Sequence, residues 1–177
     1  FLTWMQEKQR AVFVVATANN IDALPPEFLR KGRFDEIFFV DLPTAAEREV
    51  IWRLQLSAHA SEANGLSALA DDEAVIDELV QRSENHSGAE IEQAVVSALF
   101  EGYSTDRPVD RAMLDQVVDS TIPLAVTQAE EVRRIREWAA ERAVRATGTE
   151  DLDAVESGTS ESTGALSARR GGRTVDY

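Results

Sequence analysis

Cysteine is absent from this 177-residue chain. That excludes disulfides and any thiolate-bound metal, and it fits a reducing compartment such as the cytoplasm. Histidine is nearly absent as well: His59 and His86 lie far apart, without the spacing of a metal-ligating pair. No apolar run approaches the ~20 residues that cross a bilayer, the longest being residues 11–15 with their small neighbours. No charged-then-apolar leader opens the chain, so no secretion signal is expected, and Phe1 in place of a starting methionine agrees with a fragment. Positive charge is short too. The net charge of −14 argues against a nucleic-acid surface, where clustered lysine and arginine are expected. Lysine is the scarcer base, with only Lys8 and Lys31 among 18 basic residues. High acidity with little lysine suggests a saline cytoplasm, whose salt screens self-repulsion, or a GC-rich genome; ordinary solvated acidic faces are the plainer explanation.

What is present divides into zones. With 44% apolar residues the chain can bury a core. Residues 1–43 read as an α/β segment. FLTWMQEK reads as the end of a helix, and VFVVATA as a strand buried on both faces. A turn spans Asp22 to Pro26. Glu27 to Arg30 then forms a short helix after Pro25-Pro26, stopped by Gly32, and Ile37 to Val40 forms a second strand. Two strands and scraps of helix cannot close a core, so their neighbours are expected upstream.

From Thr44 to about Arg145 the pattern is helical. Thr44 with Glu47 has capping-box spacing, and Val50, Ile51 and Leu54 follow on one face. Asp71 or Asp72 caps the next helix, striped by Val75, Ile76, Leu79 and Val80. Ser87 with Glu90 repeats the box before Ile91, Val95, Ala98 and Leu99. A fourth helix carries Met113, Leu114, Val117 and Val118. Thr127 with Glu130 opens a fifth, with Val132, Ile135, Trp138 and Ala139 packing inward. The divisions expected are residues 44–122 as a helical bundle, 123–146 as a C-terminal helix, and 147–177 as a tail. That tail is rich in Gly, Ser, Thr and acid and too poor in aliphatics to offset the entropy of ordering, so it is expected to be disordered. Its Arg169-Arg170-Gly171-Gly172-Arg173 run reads as a solvated end rather than an RNA-binding segment.

The chemistry concentrates in ATANNIDALPPEFLRKGRFD. Asn19 stands at the end of the first expected strand, where an amide that both donates and accepts can hold a water in line with a γ-phosphate. Alone it could equally cap a turn. Arg30 and Arg33 flank Lys31-Gly32, and two guanidinium forks on one turn can neutralise phosphoryl oxygens across a subunit boundary. Singly, each could be a surface charge or a helix C-terminal partner. No Gly-x-x-x-x-Gly-Lys-Ser/Thr loop occurs, so nothing here cradles β- and γ-phosphates. Asp41 ends the apolar IFFVD strand, but Leu42 follows where a metal-binding motif would place an acid, so no metal ligand is assigned.

These residues carry a resemblance. VFVVATANNIDALPPEFLRKGRFDEIFFVDLP resembles the second half of an AAA ATPase module, with Asn19 as the sensor-one asparagine, Arg30 and Arg33 as arginine fingers, and a helical lid from Thr44. FLTWMQEK and IPLAVTQAEEVRRIREWAAERA are similar to an uncharacterised AAA subgroup encoded in cyanobacterial and algal plastid genomes. The fold implied is α/β: the C-terminal portion of a P-loop AAA core, with its parallel-sheet fragment, then the lid and tail. The resemblance places Ile51, Gln55, Gly88 and Ala89 near the adenine, Gln55 standing where some relatives carry a histidine. Gly88, opening a helix, would let backbone approach the base. No arginine follows Ser87-Gly88, so a second-sensor arginine is not expected in cis. The resemblance implies ATP with Mg2+ held by ligands upstream, a hexameric homo-oligomeric ring, an unidentified protein substrate, a cytoplasmic setting, and neither membrane nor nucleic acid as partner. The isolated chain is expected to be inactive. The alternative is a non-enzymatic helical module that docks onto a full-length relative.

Overall fold

Thr44 sets where the helical part begins. Its backbone is extended (φ −62°, ψ 169°), its hydroxyl accepts from Glu47 N at 3.3 Å, and the Glu47 carboxylate accepts from Thr44 N at 2.8 Å. Two of the orphan amides of a helix start are thereby satisfied, and α2 (Ala45–Ala58) follows. The computed structural model describes residues 2–7, 11–21, 23–28 and 34–146. The chain divides into two units, Phe1–Thr147 and Gly148–Tyr177. The second unit, and with it the tail expected to be disordered, lies outside the described residues, as do Asp22, Arg30, Gly32 and Arg33.

Before α2 come α1 (Leu2–Glu7) and the two-residue strand β1 (Phe38–Phe39). After it come α3 (Leu66–Ala70), α4 (Glu73–Arg82), α5 (Gly88–Thr105) and α6 (Arg111–Ser120). Asp72 caps α4, accepting from Ala74 N and Val75 N, while Asp71 ends α3 instead. Ser87 and Glu90 form the expected box on α5. Asp110 caps α6, accepting from Met113 N at 3.0 Å. The buried cluster draws on α2 to α6: Trp52, Leu66, Ile76, Leu79, Ile91 and Leu114 are all fully buried.

On α2 the buried face is not the expected one. Val50 and Leu54 are 65% and 62% exposed, Ile51 is partly buried, and Trp52 and Leu56 reach the core. Two stripes compete on this helix, and the one carrying the indole wins because it removes more apolar area from water. The Trp52 indole N–H donates to Ser83 Oγ at 3.0 Å, and that hydroxyl donates to Leu79 O at 2.6 Å. One turn earlier Arg48, also buried, donates Nε and Nη2 to Val80 O and Nη1 to Pro43 O at 3.0 Å. Burial pushes its guanidinium below the ordinary value, with the Glu84 charge opposing.

Gly65 precedes α3 in left-handed backbone (φ 78°), and a Cβ there would lie 2.7 Å from Val109 O. Val109 N donates to Asn64 O at 2.9 Å, fastening the start of the α6 segment to this turn. Only glycine satisfies both demands.

Beyond α6, Pro123 leads into α7 (Leu124–Thr127), then α8 (Ala129–Arg142) and β2 (Val144–Arg145). The capping box expected at Thr127 is absent. Thr127 already lies inside α7, its hydroxyl donating to Leu124 O, and Gln128 precedes α8 without a side-chain cap. A residue in helical backbone cannot serve as the extended N-cap of the next helix. Strand β2 was not expected; it pairs in parallel with β1, Phe38 opposite Val144 and Phe39 opposite Arg145. The strand expected over VFVVATA does not form: residues 11–18 carry no regular structure, and Phe13 is 92% exposed. A strand needs hydrogen-bonding neighbours, and among the described residues the only sheet is β1 with β2.

The contrast on α2 is directly measurable. Trp52→Ala should cost about 3–5 kcal/mol in chemical denaturation, and Leu54→Ala less than ~0.5 kcal/mol. Gly65→Ala should cost about 1–2 kcal/mol from backbone conformation alone, with the clash on Val109 O adding to it.

Candidate functional site

The N-terminus of α5 presents Ser87, Gly88, Ala89 and Glu90. Gly88 faces α2: a Cβ built on it would lie 3.7 Å from Ile51 Cδ1, an ordinary van der Waals contact. Ile51 and Gly88 are therefore brought together by the packing of α2 on α5. Gln55 lies one turn beyond Ile51, partly buried, and Ala89 is exposed beside Gly88. Glycine is not demanded here by the fold, since alanine would fit against Ile51.

Glu90 fixes this end of the helix. Its Oε2 accepts from Ser87 N at 2.8 Å and Ser87 Oγ at 2.7 Å, while Oε1 accepts from Leu124 N at 2.7 Å. One carboxylate thus caps α5 and anchors the start of α7. Partial desolvation raises its pKa, but the hydrogen bonds from Ser87 and Leu124, with the nearby His86, outweigh that and leave it below 4.5. His86 is buried beside the cap, its Nδ1 3.3 Å from Glu84 O.

The other expected site residues lie in the segment before β1. Asn19 is exposed, at a bend after the irregular stretch. The turn that follows is held by its neighbour: Asn20 Oδ1 accepts from Ala23 N at 3.3 Å, and Leu24 N donates to Ile21 O at 3.1 Å. Arg30 and Arg33 lie outside the described residues. The residues flanking them stack, Phe28 on Phe34 with centroids 6.4 Å apart and planes 22° apart, drawing the ends of that segment together. Of the seven expected site residues, the structure joins Ile51 and Gly88.

Asp41, considered and set aside as a metal ligand, has a structural partner. Arg136 Nε donates to both its oxygens at 2.9 and 3.0 Å. Among the described residues no group of histidine, aspartate and glutamate could hold a metal ion. No described helix is long and apolar enough to cross a membrane. The hydrogen bond that Glu90 accepts from Leu124 N and the Arg136–Asp41 pair were not legible in the sequence, both being made across long separations with no local signal.

Residues 1–42 match the model of the ATPase family associated with various cellular activities, AAA. Similarity continues well past that segment. The chain is 42% identical over 145 residues to the uncharacterized AAA domain-containing protein ycf46 of Pyropia yezoensis, covering 82% of this chain and 28% of that protein. It is 39% identical to the ycf46 protein of Guillardia theta, covering 82% and 27%. A 36% identity over 118 residues links it to the ATP-dependent zinc metalloprotease FtsH 3 of Sphaerobacter thermophilus, covering 64% and 22%. The chain is thus similar to AAA domain-containing proteins over most of its own length, and it spans little more than a quarter of the length of the ycf46 relatives. No solved structure matches it.

The lowered pKa of Glu90 sets a pH dependence. A depressed carboxyl contributes stability that is present above its unfolded value and lost as pH falls through the folded one. Wild-type stability should therefore fall as pH drops below 4.5, and Glu90→Gln should flatten that part of the profile in denaturation measured across the range.

Proposed function

We propose that this chain is the C-terminal part of an AAA ATPase subunit, in which α2 to α6 form the lid over the adenine of ATP. The match of residues 1–42 to the AAA model carries this reading. The approach of Ile51 to Gly88 supports it, because it sets an apolar side chain beside exposed backbone at a helix start. Ile51 and Gln55 would border the base, and the Gly88-Ala89 backbone would lie against it. Asn19 would orient the attacking water. Arg30 and Arg33 would reach the γ-phosphate of ATP bound by the next subunit of a hexameric ring. Mg2+, held by residues outside this chain, would share in neutralising the phosphate charge. The division of labour proposed is 1–43 for the end of the catalytic core, 44–122 for the lid, and 123–146 for a C-terminal helix. The work would be remodelling of a protein or complex in the cytoplasm.

A second reading has its own support. Among the described residues, the buried cluster from Trp52 to Val118 includes none before Thr44. The bundle could therefore serve as a non-enzymatic module that docks on a full-length relative.

In a polypeptide joining this chain to a phosphate-binding loop, Arg30→Ala or Arg33→Ala should lower ATP turnover on the order of 10³-fold with ATP binding retained. Normal turnover in both variants would refute the finger assignment. In the same polypeptide Gly88→Val should weaken nucleotide binding with turnover falling in proportion, whereas the 177 residues alone should show no ATPase activity.

A further inference from the structure

The link between β1 and α2 is gripped both by α2 itself and by α8. Asp41 is held by Arg136 of α8, Pro43 O accepts from Arg48 of α2, and Thr44 N donates to Glu47. Beyond α8, Val144 N donates to Ile37 O and Ala146 N to Phe39 O, each at 2.9 Å, on the strand that leads into the link. Between these contacts α8 turns its buried Ala139 toward β1, where Phe39, Ala140, Ala143 and Arg145 help line a cavity of about 310 Å³. The N-terminal end of the same arm is tied to the bundle through Leu124 N and Glu90.

We infer that α7, α8 and β2 form a strap that locks the helical bundle onto β1, with the Arg136–Asp41 pair as its releasable clasp. The covalent link alone is a few residues that could swivel. The strap adds a second attachment, anchored on the bundle at Glu90 and on the strand at Ile37, Phe39 and Asp41. The clasp is the part that can open: both side chains are partly solvated, at 47% and 30% exposure, so salt competes with it. The pairing of β1 with β2 is only two residues long, too short to hold alone. Opening the clasp therefore frees β2, and with it the angle between bundle and strand. The clasp and the strand pairing can fail without the nucleotide reading failing, because among the described contacts neither involves Asn19, Ile51, Gln55, Gly88 or Ala89.

The experiment is amide exchange by NMR on the full chain. Arg136→Ala should speed exchange at Val144 and Ala146 about two- to fivefold, with amides in the middle of α5 unchanged. Asp41→Asn should do the same, and the double variant should add nothing further, since the two residues act as one pair. Unchanged exchange at Val144 and Ala146 would overturn the clasp. Faster exchange throughout α5 would overturn it too, by making Arg136 a support of the whole bundle rather than of one attachment.

Discussion

The seating of α2 on the end of α4 is the constraint on which the helical body rests. It combines the largest apolar group in the core, Trp52, with three polar groups that burial would otherwise make costly: the indole N–H, the Ser83 hydroxyl and the Arg48 guanidinium. Each finds an acceptor, and two of those acceptors are backbone carbonyls in the last turns of α4, Leu79 O and Val80 O. Leu79 O also accepts from Ser83 N, whereas Val80 O is a carbonyl left over at the helix end, so the Arg48 bond serves both partners. A buried hydrogen-bonded group also specifies register in a way that interchangeable aliphatics do not, since a slip of one residue would strand every member. Arg48 extends the effect to Pro43, so the same helix that orders the core also orders the entry to it.

Much of this was legible in the sequence where the cause is local. The boxes at Thr44 and Ser87 and the cap at Asp72 depend on residues three apart, and each forms. The stripes of α4, α5 and α6 follow from periodicity and are buried, with Val80, Leu99 and Val117 partly so. Failures came where the deciding partner was distant. VFVVATA has the composition of a buried strand, but composition does not supply a neighbouring edge. Thr127 has a box in its spacing, yet Pro123 starts a helix first and leaves Thr127 in the wrong backbone. On α2 both stripes were apolar; the larger area of Trp52, with Ser83 at the end of α4 to accept its indole N–H, decides between them.

The candidate site divides along the same line. That Ile51 should lie against Gly88 came from family likeness; nothing in their spacing of 37 positions announces it, and the packing of α2 on α5 brings it about. Glu90 was readable as a cap but not as the anchor of α7, because its second oxygen reaches across to residue 124. The outcome is a carboxylate with two duties, one at the edge of the proposed adenine site and one at the root of the strap.

The parallel pairing of β1 with β2 also bears on how the chain reaches its fold. Asp41 and Arg136 are 95 positions apart, whereas α2 through α6 follow one another with short connections. Closing a loop of that length carries an entropy that a two-residue strand pairing and an ion pair recover only when the intervening residues are already compact. The bundle therefore has to assemble before the strap can shut, which makes the strap and its pairing with β1 the last part to form and the first to fray.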